Sequence, residues 1–247
     1  MMIRAIRLLA RAATGAALVS TCAISHAANF TVTPVRVELS PSQTSSALTV
    51  KNEMTDEPVV VELNTVAWSQ KDGEDVYTPA PELLATPPIF TLAPGATQVI
   101  RIGLRHPSAS DRETTYRLYL REVPPPPKPG FAGVQIALEM RLPIFVKPRV
   151  ATAPALQWHV DRQGSGPLAL SVTNEGTAHA QVANLVLTAG DRPVATYPGF
   201  AYVLPGQTRR LVMQPGRDAP SAPGGALRLK AYSDAGDIDS PIAQQWQ

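Results

Sequence analysis

Few side chains in this sequence have the types and spacing that catalysis or metal binding requires. Beyond residue 27 the histidines are His106, His159 and His179, and none stands at metal-ligand spacing from another histidine, a cysteine or a carboxylate. No serine lies in the pattern of a hydrolase nucleophile, and the glycines form no phosphate-binding loop. The residues therefore predict no active site, no metal and no cofactor.

One acidic stretch, "KDGEDVYTP" over residues 71–79, has a composition that also occurs in calcium-binding loops. It lacks the remaining ligand positions of such a loop. The Asp72-Gly73 pair between two alternating segments is instead typical of a tight β-hairpin turn. We interpret the stretch as a solvated turn.

The stretch "VQIALEMRLPIFVKP", residues 134–148, is an apolar strand with cationic residues set along it. Val134, Ile136 and Leu138 have period two, so they share one face of a strand. Such a face usually packs against the core of its own domain. From the residues alone we favour that interpretation, and binding to another protein is the alternative.

The first 27 residues predict export. Three arginines precede a short, Ala-rich apolar stretch that ends in small residues, as in a secretory signal peptide cleaved near Ala27 or Ala28. An uncleaved anchor is an alternative, but the stretch is short for a spanning helix. Acylation of Cys22 is another, and the bulky residue before it counts against it. We expect a periplasmic protein.

The predicted signal peptide also carries the excess positive charge. Residues 1–27 hold three of the 22 Lys and Arg and none of the 20 Asp and Glu, which leaves 19 basic and 20 acidic residues. This balance gives no reason to expect a nucleic-acid partner. The only cysteine lies in the same segment, so packing must stabilise the rest without disulfides.

Short strands must position the functional side chains of this chain. Segments such as "SALTVKN", "VVVELNTVAW" and "TYRLYLREV" alternate apolar and polar residues between Pro, Gly, Asn, Asp or Ser. The 25 prolines are spread along the chain, where they disfavour long helices. Many short strands at even spacing predict an all-β sandwich fold.

The sequence repeats itself weakly, in two places and in the same order. "LTVKNEMTDEPVVVEL" at residues 48–63 resembles "LSVTNEGTAHAQVANL" at 170–185, and "LAPGATQVIRI" at 92–102 resembles "VLPGQTRRLVM" at 203–213. Two ordered matches favour two related sandwich domains.

The boundary between these domains is expected in the small-residue linker of "VKPRVATAPAL". This divides the chain into a signal peptide of residues 1–27, a first domain of residues 28–149 and a second domain of residues 150–247.

Four segments together resemble the first domain of the periplasmic pilus (fimbrial) chaperones of the chaperone–usher pathway. They are "TPVRVEL", "ATPPIFTLAPGATQVIRIGLR", "DRETTYRLYLREVPP" and "VQIALEMRLPIFVKP". The second domain resembles the family more loosely, through "SVTNEG", "LPGQTRRL" and "KAYSDAGD". The "LPIFVKP" ending and the short Pro-rich loop before it look most like the archaic branch.

The resemblance implies two immunoglobulin-like β-sandwich domains at an angle, with a cleft between them. Family members bind pilin subunits by donor-strand complementation, in which a strand of the chaperone fills the gap left by a missing pilin strand. They then deliver the subunit to the outer-membrane usher for pilus assembly. With such a strand exposed, we also expect the free protein to protect it, either by self-capping or by self-association.

Two other classes of function remain open from the residues. A periplasmic hydrolase is one, and the lack of a nucleophile with its base counts against it. A secreted structural module, such as an adhesin or a pilin, is the other. The two-domain length and the absence of cysteine beyond the signal peptide count against that class.

The resemblance also implies roles for individual residues. The family's donor strand matches Val134, Ile136, Leu138 and Met140. An arginine that pairs with two acidic residues braces the family's interdomain angle, and these three positions match Arg101, Glu113 and Asp234.

In the family, two cations in the cleft bind the terminal carboxylate of the pilin. One matches Arg36, but the other, a lysine, aligns with Pro143. Arg141 is then the natural substitute, because a guanidinium can hold a carboxylate through two parallel hydrogen bonds. Arg101 and Arg105 are the alternates.

Overall fold

The computed structural model describes residues 30–127, 129–130, 132–162, 168–216 and 226–246, and the predicted signal peptide lies outside them. The described residues form strands and no helix. In this part of the chain there is accordingly no helix long and apolar enough to cross a membrane.

The first domain contains two sheets. Its strands are β1 (Phe30–Thr33), β2 (Val37–Leu39), β3 (Ser45–Asn52), β4 (Val59–Lys71), β5 (Glu74–Pro79), β6 (Leu83–Thr86), β7 (Ile89–Leu92), β8 (Thr97–Leu104), β9 (Thr114–Glu122) and β10 (Glu139–Val146). One sheet has the order β1-β3-β8-β6, and the other has the order β2-β10-β9-β4-β5, with β7 also on β4. Alternate residues of both sheets, such as Val50, Ile100 and Leu118, are buried in a common core.

The second domain is built in the same way. Its strands are β11 (Leu156–Arg162), β12 (Ala169–Asn174), β13 (Ala180–Ala189), β14 (Arg192–Val203), β15 (Thr208–Val212), β16 (Gln214–Pro215), β17 (Leu227–Ser233) and β18 (Gly236–Trp246). Strand β18 pairs with β17 and then with β11, so it links the two groups of strands into one hydrogen-bonded order. A separate apolar core that includes Leu170, Leu185 and Leu229 fills this domain.

The sequence repeat places a buried asparagine at the same point of each domain. The side-chain amide of Asn52 donates to the Leu92 carbonyl at 3.1 Å, and that of Asn174 donates to the Val203 carbonyl at 3.0 Å. Each acceptor leads into the Pro-Gly turn of its repeat. Each asparagine also accepts a hydrogen bond from the N–H two residues further on, at 2.8 and 3.0 Å. Buried amides need such partners, so the repeat fixes two equivalent turns.

The acidic stretch is a hairpin turn between β4 and β5, as the Asp-Gly pair indicates. Asp72 and Gly73 have φ values of 53° and 83°, the region in which glycine is favoured. The turn also contacts the second domain, because Gly73 forms a bridge with Arg209. A Cβ at Gly73 would lie 3.2 Å from the Cβ of Arg210, so a glycine also suits this close approach.

The strand expected over residues 134–148 begins later than the alternation suggested. Strand β10 starts at Glu139, and residues 134–138 lie outside any strand. The reason is the length of the neighbouring strand β9. It ends at Glu122, whose N–H donates to the Leu138 carbonyl, so residues before Leu138 have no part of β9 beside them. A strand needs a hydrogen-bonding partner, and the alternating residues extend beyond it.

Candidate functional site

A cleft of about 560 Å³ lies between the two domains. It is lined by Val35, Arg36, Arg117, Met140, Arg141, Leu142 and Pro143 of the first domain and by Gln181, Phe200 and Tyr202 of the second. Three of these side chains are arginines, so the cleft can receive an anion. The predicted anchors Arg36 and Arg141 both line it.

Arg117 is the cation of this cleft that sequence reasoning missed. It pairs in register with Pro143, the position of the lysine expected from the family, so it supplies a positive charge from the neighbouring strand. Its guanidinium lies 3.6 Å from the ring centre of Trp68 and 5.5 Å from that of Tyr202. These aromatic faces hold the side chain in place.

Arg117 has no carboxylate partner among the described residues. Its Nη1 donates only to the Arg141 carbonyl at 3.4 Å, and its Nε is buried without a hydrogen-bond partner in the same part of the chain. Burial lowers the pKa of Arg117 below its ordinary value. A half-buried cation without its own anion is costly, and an incoming carboxylate would relieve that cost.

Arg36, by contrast, already has acidic partners. Its guanidinium lies 2.9 Å from the Glu38 carboxylate and 3.5 Å from that of Asp234 in the second domain. Burial alone would lower the pKa of Arg36, but the hydrogen bond and charge of Glu38, with Tyr202 and Asp234, hold it above its ordinary value. Arg36 thus joins the two domains at the mouth of the cleft.

Arg141 stands at the rim of the cleft. Its side chain is 57% exposed and bonds Glu139 at 2.8 Å, which also binds Arg121. The alternates are not brought to this site. Arg101 is exposed on β8 of the other sheet, and Arg105 donates to the Pro81 carbonyl at 2.9 Å.

The interdomain bridge is centred on a histidine. The Glu113 carboxylate lies 2.6 Å from Nδ1 of His179 and accepts its backbone N–H at 3.1 Å. The other ring nitrogen lies 3.5 Å from the Asp234 carboxylate. His179 is stacked on Phe145 of β10, with ring centres 3.5 Å apart. The bridge therefore connects Glu113 and Asp234 through His179.

Arg101, expected in this bridge from the family resemblance, does not join it among the described residues. No ion pair joins it to Glu113 or Asp234 in the described ranges. Its strand belongs to the sheet that does not carry Glu113, whereas His179 enters directly from the second domain. The sequence signal for this role is a lone histidine among small residues in "GTAHAQV".

Burial would lower the pKa of His179, but the hydrogen bonds and charges of Asp234 and Glu113 outweigh burial and raise it above its ordinary value. Burial would raise the pKa of Asp234. The contacts with His179, the Gln181 N–H and Arg36 outweigh burial and lower this pKa below its ordinary value. Both directions favour the ion-paired form of the bridge.

The four predicted donor residues fall into two pairs. Val134 and Ile136 are 86% and 85% exposed. Leu138 and Met140 are half-buried and pack against the core of the first domain. The segment therefore presents two apolar side chains to solvent immediately before β10.

Strand β10 also has a partly open edge. On one side β9 covers it from Glu139 to Val146, but on the other side β2 pairs only with Ile144–Val146, in parallel. Residues 139–143 have no strand on that side among the described residues. The edge ends where Arg36 precedes β2.

The chain matches known proteins of one kind. Residues 29–151 match the family of pili and flagellar-assembly chaperones, PapD N-terminal domain. The chain is 30% identical over 122 residues to chaperone protein PapD of Escherichia coli. This alignment covers 47% of this chain and 48% of that protein. It is 27% identical over 193 residues to the uncharacterized fimbrial chaperone YbgP of Escherichia coli K12. This alignment covers 73% of this chain and 74% of that protein.

Solved structures of chaperones have the same fold. The complex of CsuC and CsuE from the archaic chaperone–usher Csu pili of Acinetobacter baumannii contains a chain with a TM-score of 0.67 and 19% identity, covering 88% of this chain and all of that one. The YadV chaperone has a TM-score of 0.63 and 18% identity, covering 87% and 99%. The fold is that of a two-domain, immunoglobulin-like chaperone, and this chain belongs to the family of pilus-assembly chaperones.

Proposed function

We propose that this protein is an exported periplasmic chaperone that binds fimbrial subunits by donor-strand complementation and passes them to the outer-membrane usher. The family supports this proposal, and so do the structures of relatives with partners: CsuC with a tip adhesion subunit and SafB with the SafA pilin. Residues 1–27 would act as the signal peptide, followed by domains of residues 28–149 and 150–247.

The observation that carries the proposal is the exposed apolar segment beside an open strand edge. Val134 and Ile136 precede the part of β10 that has a partner on one side only. A strand lacking from a subunit could be replaced here, with main-chain hydrogen bonds from the edge and apolar side chains from the donor residues. Leu138 and Met140 would continue the same face after a small shift away from their own core.

The open edge favours a chain end over a passing loop. An added strand on this side of β10 would be collinear with β2 and would meet Arg36 and Val37 where β2 begins. Only a terminus fits that position. A strand parallel to β10 brings its carboxylate there, whereas an antiparallel strand would bring an ammonium group toward Arg117.

We propose Arg117 and Arg36 as the two cations that hold this carboxylate, with Arg141 at the rim. Arg117 is the stronger candidate because it is half-buried, its Nε is enclosed, and it has no acidic partner in the described residues. A charge-assisted hydrogen bond in a partly desolvated cleft contributes about 1.5–3 kcal/mol.

Co-expression with the cognate subunit, followed by co-purification, tests this function. Arg117→Met keeps the apolar stem against Trp68 and removes the charge, and Arg36→Ala removes the second cation. We expect both variants to fold and to recover much less complex. Arg101→Ala, which removes an exposed arginine outside the cleft, should recover as much as the unaltered protein.

Full recovery with both Arg117→Met and Arg36→Ala would exclude the carboxylate grip. Equal loss with Arg101→Ala would show that surface charge in general, and not the cleft, governs capture. Far-UV circular dichroism and urea denaturation of each variant separate lost binding from lost fold.

A further inference from the structure

We propose that the cleft also recognises the last side chain of the bound chain and selects a large apolar residue, preferably an aromatic one. This inference rests on the proposed function, because it assumes that a terminal carboxylate lies at Arg117 and Arg36. It adds a selectivity for the partner that the carboxylate alone does not provide.

The second-domain wall of the cleft carries an exposed aromatic ring. Phe200 on β14 is 61% exposed, and its ring centre lies 6.1 Å from that of Tyr202 at an interplanar angle of 87°. The opposite wall carries Val35, which is also 61% exposed. Large apolar side chains left open on two walls of one cleft indicate a binding surface.

The cleft is larger than a carboxylate requires. Its volume of about 560 Å³ leaves space for a side chain beside the position of the anion. This space adjoins apolar groups of both domains, namely Val35, Met140, Pro143 and Phe200. An aromatic residue could pack edge-to-face or offset on Phe200, which already has an edge-to-face contact with Tyr202.

The charges around the cleft disfavour a polar terminal residue. An acidic side chain would approach the carboxylates of Glu38 and Asp234, which already form ion pairs with Arg36. A basic side chain would approach Arg117 and Arg141. An apolar side chain avoids both repulsions and removes apolar surface from water.

Peptide binding to the purified protein tests the inference. The probe is a peptide of alternating valine and threonine, with solubilising lysines at its N-terminal end, made in three forms. These end in phenylalanine with a free carboxylate, in alanine with a free carboxylate, and in phenylalanine amide. Isothermal titration calorimetry measures each dissociation constant. We expect the free phenylalanine form to bind about tenfold or more tightly than the alanine form.

The second arm changes the wall. Phe200→Ala should reduce the preference for phenylalanine over alanine by roughly threefold or more. Tyr232→Ala is the matched control, because Tyr232 is equally exposed at 61% but does not line the cleft. It should leave the preference unchanged.

The outcomes separate this inference from the proposed function. Equal binding of the phenylalanine and alanine acids, with weaker binding of the amide, would overturn the side-chain selectivity and leave the carboxylate grip intact. Equal binding of acid and amide would overturn the grip itself, and the inference with it. Binding by none of the three peptides would count against both. Loss of the preference in Tyr232→Ala would overturn the assignment to Phe200.

Discussion

Two parts of one apolar stretch, residues 134–138 and 142–146, have opposite environments. Val134 and Ile136 are almost fully exposed, whereas Ile144 and Phe145 are completely buried. In the later part β9 pairs with every residue and β2 pairs with Ile144–Val146, and Phe145 also contacts His179 of the second domain. The earlier part lies beyond the end of β9 and does not pair with it. The same residue types therefore build the chaperone's own core in one half and remain available to a partner in the other.

This difference indicates how the protein can fold and still keep an apolar segment exposed for the proposed binding of a subunit. The core and the domain interface use the later half of the stretch, so the exposed half contributes little to folding. Burying each exposed aliphatic side chain in a partner would gain about 1.5–3 kcal/mol. The predictions that follow change one half at a time.

The largest effect is expected from truncation in the buried half. Ile144→Ala should lower the free energy of unfolding by about 2–5 kcal/mol, because it leaves a cavity between the sheets of the first domain. Ile136→Ala should change it by less than about 0.5 kcal/mol, since the side chain is exposed. Urea denaturation of both variants measures the contrast. Similar losses would mean that residues 134–138 are also part of the folded core.

The next effect concerns capture. Ile136→Asp should reduce binding of the cognate subunit by about 2–3 kcal/mol, because it puts a charge where the subunit core requires an apolar group. The free energy of unfolding should stay unchanged. Val99→Asp, at a half-exposed position on the opposite sheet, is the control. Co-purification that is equally impaired by both changes would contradict the donor role.

A smaller effect is expected at the domain interface next to the buried half. The raised pKa of His179 means that its contribution to stability is fully present below its ordinary value of 6.5 and is lost as the pH rises through the raised value. The lowered pKa of Asp234 places its own loss on the acid side. Arg36 and Tyr202 also face this group, and Arg36 stays charged throughout.

Urea denaturation from about pH 6 to pH 9 measures this dependence. Stability should decline over this range, by less than the loss caused by Ile144→Ala. His179→Gln should give a flatter curve, and a decline of the same size in that variant would assign it to another group.

The smallest effect is expected in the free protein. The exposed Val134 and Ile136 beside an open strand edge should favour weak self-association. Sedimentation velocity at increasing concentration should show a larger species, which the Ile136→Asp change removes. A monomer at all concentrations would show that the edge is protected in another way.

Much of the architecture was predictable from local patterns. Alternation and turn residues predicted the all-β fold, and Asp72-Gly73 predicted the first hairpin, because turn geometry depends on adjacent residues. The repeat predicted two related halves, and the matching hydrogen bonds of Asn52 and Asn174 give it a physical basis. The position of Arg36 beside the cleft followed from the family pattern.

The assignments that failed or were missed depend on which strands become neighbours. Arg117 reaches the place of the absent lysine because β9 pairs Arg117 with Pro143. His179 meets Glu113 across 66 positions of sequence, and no local pattern encodes that contact.

Apart from the start of β10, the sequence by itself determined the strands, their apolar faces and the tight turns, since these depend on residues a few positions apart. The tertiary structure decided which apolar residues are covered and which charges are paired. In the tertiary structure β9 does not extend alongside residues 134–137, so Val134 and Ile136 stay exposed. Arg117 is likewise left without an anion in the described part of the cleft. Burial and ion pairing depend on what lies opposite a side chain, and only the packing of sheets and domains fixes that.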